Sequence, residues 1–251
     1  MTTSIIKSKL FKLLKIALGA FFCIALWEII AIRTNNSYFM PRVSETAEAL
    51  RTLLRTESFM KYVFTSLSRV AIGLILGIIF GVILATVCHL VPFSDTFVSP
   101  LITVMKATPV AAIILILWFT LSNAELAIFV VFLMVTPIVW QNVYDGFKSI
   151  SDEMREVCEI FEIPFPKRMR ILVLPEIIKY LIPAIITSVG LAWKAEIAAE
   201  IMTYSNIGQS IDDFKTLHLD TPSVFAWAVV IVVMSLILES IIKYLLKRIK
   251  V

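Results

Sequence analysis

Charge, glycine, histidine and cysteine are all scarce in this sequence. Only 17% of its 251 residues are charged and 59% are apolar, whereas soluble domains are about half apolar and about a quarter charged. So little polar surface means that lipid is the solvent for much of the chain. The three cysteines, Cys23, Cys88 and Cys158, stand far apart with no CxxC or Cys/His spacing. That excludes a recognisable disulfide framework or zinc motif, and they read as small apolar packing residues. Seven glycines and ten prolines are too few for a collagenous or low-complexity chain. No Gly/Ser-rich linker divides it, so residues 1–251 read as one domain. There is no Gly-Lys pair, hence no GxxxxGK[ST] phosphate loop, and H-E-x-x-H and G-x-S-x-G are missing too. The two histidines, His89 and His218, are isolated. No catalytic residue, metal ligand set or resident cofactor is expected from such a sequence. The net charge of +4 is too small to imply nucleic acid.

What the sequence has instead is long apolar runs, at residues 13–32, 62–87, 109–121, 126–143, 181–203 and 223–242. A span takes about 20 mostly apolar residues, because only a helix satisfies its own backbone in hydrocarbon. The third run is short unless residues 97–106 continue it, with Pro100 and Pro109 able to kink the join. The expected fold is an all-α membrane protein of about six transmembrane helices. Lys7, Lys9, Lys12 and Lys15 precede the first run, and Lys243, Lys247, Arg248 and Lys250 follow the last. Positive charge marks the cytoplasmic side, so both termini are expected there, after an even number of crossings. The first run is too long for a signal-peptide core of about 7–15 residues.

Between the first two runs, residues 33–61 suggest an amphipathic helix on the outer surface, with Val43, Ala47, Leu50 and Leu54 along one side. Arg42, Arg51, Arg55 and Lys61 on this connection run against the charge rule, partly offset by Glu45, Glu48 and Glu57. Gly73, Gly77 and Gly81 put three bare positions on one helix face, for intramolecular packing or for a dimer seam.

Residues 142–179 form the longest polar stretch and fall on the cytoplasmic side by count. Ser151 with Asp152 and Glu153 reads as a helix start, with Met154, Val157 and Phe161 on one face and Arg155, Glu159 and Glu162 opposite. Pro164 and Pro166 break the helix, and Lys167, Arg168 and Arg170 open a second one leading to Leu174-Pro175. Two short helices joined by a bend are either a solvated connection or something a partner can grip.

Charges inside spans are costly and read as functional candidates. Glu28 and Glu239 sit near span ends, within reach of headgroups. In the fifth run Glu196 and Glu200 lie about 40° apart on one face, with Lys194 about 120–160° away. An aqueous route and a buried interhelical ion pair both fit these three residues.

Glu156-Val157-Cys158, three residues, Glu162, nine residues, then Leu172-Val173-Leu174-Pro175 resembles the EAA loop of ABC importer permeases, written EAA-x3-G-x9-I-x-L-P. Thr108-Pro109-Val110, Leu117-Trp118-Phe119, Thr136-Pro137-Ile138, Asn142, Asp145-Gly146, Leu191-Ala192-Trp193, Ala198-Ala199-Glu200 and Asn206-Ile207-Gly208 are similar to the nitrate, sulfonate and taurine branch of that family.

The resemblance implies a type I importer permease fold with a methionine-importer-like core at 60–245, an extra N-terminal helix at 10–32 and a coupling loop at 142–179 in a bacterial inner membrane. It implies a separate ATPase subunit that holds ATP-Mg, an extracytoplasmic solute-binding protein, and a second permease copy, as a homodimer surrounded by membrane lipid. It puts Glu156, Val157, Phe161, Glu162, Pro164, Leu174 and Pro175 at the ATPase contact, and Lys194, Glu196 and Glu200 beside the translocation path. Relatives in that branch carry nitrate, sulfonates, taurine, bicarbonate or vitamin precursors. Val157 and Cys158 replace two alanines and Glu162 replaces a glycine, so the bend is expected to come from Pro164 and Pro166. The rival reading is an ion-gradient-driven carrier or channel using the fifth-run carboxylates. Such carriers often have repeated halves, and no internal repeat is visible. A membrane scaffold without transport is a third class, and it has no need of charges on an inner helix.

Overall fold

The computed structural model describes residues 2–248, with side chains except those of residues 2–10, 12, 13, 16 and 92. Lys250 lies outside the described residues, and so do the side chains of Lys7, Lys9 and Lys12. Every regular element among the described residues is helical: α1 (Thr2–Thr34), α2 (Val43–Arg55), α3 (Glu57–Leu90), α4 (Pro92–Ala107), α5 (Val110–Leu117), α6 (Asn123–Lys148), α7 (Asp152–Ile160), α8 (Phe165–Arg168), α9 (Leu174–Met202), α10 (Asn206–Asp212) and α11 (Thr221–Leu246). Single π-helical turns, Met169–Val173 and Asp213–Leu217, follow α8 and α10.

Among the described residues five stretches are long and apolar enough to cross a membrane: Ala17–Thr34, Glu57–Leu90, Asn123–Lys148, Phe165–Met202 and Thr221–Leu246. The sixth crossing exists only if α4 and α5 count as one, and they meet at 95°. Thr108 and Pro109 separate them, because proline lacks an amide hydrogen and turns the residue before it away from the helical conformation. The kink therefore falls at Pro109 and not at Pro100, which stays inside α4. α5 then stops at Leu117, four residues short of the expected 109–121 run.

The fifth span also begins earlier than 181, because α8 runs into α9 without a stop. At the join the Leu174 amide bonds the Met169 carbonyl. This wider turn draws the ladder away from the position where the ring of Pro175 would strike the preceding turn.

Packing separates two units, one running through Phe59 and again over Ile211–Val230, the other comprising Met60–Ser210 and the chain from Ile231 on. In the first unit, α1 holds the start of α2. Trp27 donates its indole hydrogen to Pro41 O (3.0 Å), and Glu28 Oε2 accepts the Val43 amide (2.9 Å). Glu28 thus satisfies an orphan amide at a helix start, a use different from the expected reach toward headgroups. Trp27 also meets Phe225 at 5.6 Å, and Phe59 stacks on Trp227 at 5.5 Å. The buried side of α2 is Thr46 and Leu53, whereas Ala47 and Leu54 are exposed. The expected stripe is rotated by one position, because docking on α1 fixes the inward side.

The second unit is built on α6. Its start is a capping box in which Glu125 Oε2 accepts the Ser122 amide (3.0 Å) while Ser122 Oγ accepts the Glu125 amide (3.4 Å). Ile114, Leu126, Ala127, Val130, Ala195 and Ala199 from α5, α6 and α9 form a buried core. The three bare positions of α3 lie flush on α6. A β-carbon at Gly73 would stand 2.7 Å from Ile128 O and Val131, and one at Gly77 2.7 Å from Val135. The repeat is therefore an intramolecular seam, one of its two sequence readings. Cys88 and Cys158 are buried as packing residues, but Cys23 is exposed on α1.

Candidate functional site

The loop after α6 is built as a small platform. Ser151 Oγ accepts the Met154 amide (3.4 Å) to start α7, and Asp152 and Glu153 occupy its positive end. Arg155, on the side opposite the apolar stripe, is half-buried and donates to Phe147 O (3.4 Å). It thereby satisfies one of the carbonyls that the end of α6 leaves unpaired. Phe147 is itself buried and stacks on His89 at 4.2 Å. Cys158 points inward with Arg155, so the apolar face of α7 points out. Met154, Val157, Ile160 (76% exposed), Phe161 (73%) and Phe165 all lack cover in this chain. Glu156 is exposed beside them, and no ion pair or hydrogen bond claims its side chain among the described residues. Glu159 faces Arg168 at 3.8 Å.

The bend is not made where the prolines suggest. Glu162 itself takes φ +48°, and the Ile163 amide reaches back to Cys158 O (2.9 Å). This is the left-handed stop that a glycine normally supplies. Pro164 and Pro166 instead open α8, where a missing amide hydrogen costs nothing. The left-handed conformation costs an ordinary residue about 1–2 kcal/mol, and glycine loses about 0.5–1 kcal/mol of this gain to chain entropy. Glu162→Gly is therefore expected to stabilise the bend by about 0.5–1 kcal/mol, slowing hydrogen exchange of the Ile163 amide by about two- to fivefold. Unchanged exchange would mean that Glu162 holds this geometry without strain. Leu174, half-exposed, lines an apolar groove of about 510 Å³ with Phe147, His89, Phe165 and Met169. Pro175 is half-buried at the start of α9.

A second constellation lies inside the bundle. Arg69 on α3 sets Nη1 3.2 Å from Glu200 Oε1 and 3.9 Å from Glu196 Oε1. Both carboxylates are fully buried, and the arginine side chain is 13% exposed. Glu200 Oε1 also accepts from Ser66 Oγ (2.7 Å) and Asn206 Nδ2 (2.9 Å). The four-residue spacing of the two acids gives them one face, as expected, while Lys194 is exposed elsewhere on α9. Arg69 is the residue that reading the sequence missed. It stands within the second apolar run, and a cation there requires an anionic partner on another helix.

The Asn206-Ile207-Gly208 motif belongs to the same centre. Tyr204 and Asn206 take φ +49° and +44° to turn the chain back, Ile207 is buried, and Gly208 lies directly on the α9 backbone at Glu200 and Ile201. Glu239, expected to reach toward headgroups, pairs with Lys243 at 3.0 Å. Among the described residues no three His, Cys, Asp or Glu side chains gather as a metal site.

The chain is similar to several known transport permeases. The taurine transport system permease protein TauC of Escherichia coli is 21% identical over 88% of this chain and 83% of its own length. The nitrate import permease protein NrtB of Synechococcus elongatus is 28% identical over 56% of this chain and 50% of its own. A crystal structure of an amino acid ABC transporter with histidines superposes with a TM-score of 0.66 at 15% identity, covering 80% of this chain and 98% of that one, which establishes the type I permease fold. The family described as binding-protein-dependent transport system inner membrane component matches residues 77–251, about two thirds of the chain. This chain is a multi-pass membrane protein of that family, an ABC importer permease subunit.

Proposed function

We propose that the chain forms the solute path of an ATP-driven importer and couples it to a separate ATPase through α7 and α8. The observation that carries this reading is the outward apolar face of α7, rimmed by Glu156, an acid that no described residue of the chain claims. Large apolar side chains exposed side by side mark a protein-partner surface, and the Glu156 carboxylate offers a cationic group there a charge-assisted hydrogen bond. ATP-Mg is bound and hydrolysed by that partner. A solute-binding protein delivers cargo at the outer face, and two copies of this chain assemble around the path. Both termini lie in the cytoplasm, a reading supported by the basic residues at either end. The cargo is a small polar solute of the class for which the relatives are named. An ion-gradient carrier is less well supported, since Arg69 already occupies the carboxylates such a carrier would use.

The test is a pair of substitutions on one short helix. Glu156→Ala removes one side of a charge-assisted contact worth about 1.5–3 kcal/mol, so ATPase co-purification should fall about tenfold or more while membrane insertion persists. Glu159→Ala loses only an exposed ion pair with Arg168 and should change binding by less than about threefold. Equal, near-normal ATPase recovery with both variants would remove the coupling role from Glu156.

A further inference from the structure

One side of α9 is left uncovered in the middle of an apolar span. Pro183, Thr187, Lys194 and Ile201 are exposed, and Leu191 and Ala198 between them are half-buried, although the rest of this part of the helix is largely buried. Steps of three and four residues make these six positions a single stripe. Lys194 is the charge on it, and no described residue pairs with its ammonium. The two acids on the same helix are turned away and held by Arg69.

Three surroundings are available to such a stripe. Hydrocarbon is the worst, since Lys194 stands eight residues, or about 12 Å, from the end of α9, farther than a lysine side chain extends. A tight seam against the same stripe of a second copy brings two ammonium groups together with no acid to separate them. Water is the surrounding that suits both the charge and Thr187, about two turns away on the same side. We infer that Lys194 lines the solute path and makes it selective for anions. This rests on the path assigned to the chain above, but not on how the ATPase docks. A fixed cation on a wall of apolar side chains concentrates anions and excludes cations, because the low-dielectric wall focuses its field lines into the water-filled channel.

Charge-paired thiol reagents test this without knowledge of the cargo. In a background with Cys23, Cys88 and Cys158 replaced by alanine, Thr187→Cys is exposed, in native membrane vesicles, to the anionic ethylsulfonate and the cationic ethyltrimethylammonium methanethiosulfonates. Rates are taken without nucleotide and after trapping with ATP and vanadate. The reporter should react in at least one state, and Lys194→Gln should lower the anion-to-cation rate ratio by about tenfold, with Lys194→Arg keeping it. Any effect of Lys194 on thiolate formation cancels in that ratio. Ile201→Cys, about two turns from Lys194 in the other direction, repeats the measurement should Thr187→Cys fail to insert. Reporters silent to both reagents in both states overturn the aqueous stripe, and a ratio indifferent to Lys194→Gln overturns the selectivity. Loss of ATPase docking is read separately, by co-purification, and leaves these rates interpretable.

Discussion

Arg69→Met is expected to be among the most damaging single substitutions in the chain, costing about 3–5 kcal/mol of folded stability. The guanidinium stands between two carboxylates that have no exposure of their own, at 3.2 Å from Glu200 and 3.9 Å from Glu196. Removing it leaves two buried acids facing each other, with only Ser66 and Asn206 donating to one oxygen of Glu200. The thermal midpoint of the detergent-solubilised protein should fall by roughly 10 °C at about 2–4 °C per kcal/mol. Methionine keeps the bulk of the arginine stem, so lost packing contributes little. The decisive comparison is Arg69→Met/Glu196→Gln/Glu200→Gln, which removes all three charges together. A neutral buried cluster is often as stable as the ion pair it replaces, so the triple variant should recover most of the loss. If it unfolds as readily as the single variant, the charges are not coupled and the damage comes from packing.

That cluster also marks the limit of what the residues alone disclose. The six apolar runs and the cap at Ser151 are legible, because length and capping chemistry are local properties. Which side of a spanning helix packs is not legible in the same way. In a soluble helix the apolar stripe points inward, but in lipid both sides are apolar and the period carries little information. What remains are the exceptions: Gly73, Gly77 and Gly81, which let α6 approach α3, and the charges Arg69, Glu196 and Glu200. Two of those charges are conspicuous in the sequence. The third is equally visible once every ionisable residue in an apolar run is asked for its partner.

The platform formed by α7 misleads in the opposite sense. An amphipathic pattern at Met154, Val157 and Phe161 is legible, yet the pattern does not say whether the stripe faces its own protein or a partner's. Arg155 decides it, because its hydrogen bond to Phe147 O turns the other side inward. The left-handed Glu162 is hidden for a different reason. Prolines two and four residues later offer a sufficient local explanation for the break, and only the backbone reveals that the turn precedes them.

Gly208→Ala is expected to have an effect close to that of Arg69→Met, for a steric reason. A β-carbon at Gly208 would overlap the backbone of Glu200 and Ile201, and backbone cannot rotate aside as a side chain can. Forced overpacking of this kind costs about 1–3 kcal/mol and sometimes more, and here it also reaches the buried cluster. α10 must lift from α9 to admit the methyl group. The Ser205 amide bond to Glu200 O (3.1 Å) and the Asn206 side-chain bond to Glu200 Oε1 (2.9 Å) then stretch together. Glu200 loses one donor inside the protein, so a total near about 3 kcal/mol is expected, seen as a lower thermal midpoint and a lower yield in the membrane. Gly19→Ala on α1 is the matched control, because a β-carbon there meets nothing within 4 Å and alanine favours the helix by up to about 1 kcal/mol. Asn206→Ala added to Gly208→Ala should cost little more, since both changes break the same contact. If Gly208→Ala is as benign as Gly19→Ala, α10 can step away from α9 freely, and the Asn206 bond does not help to hold the buried cluster.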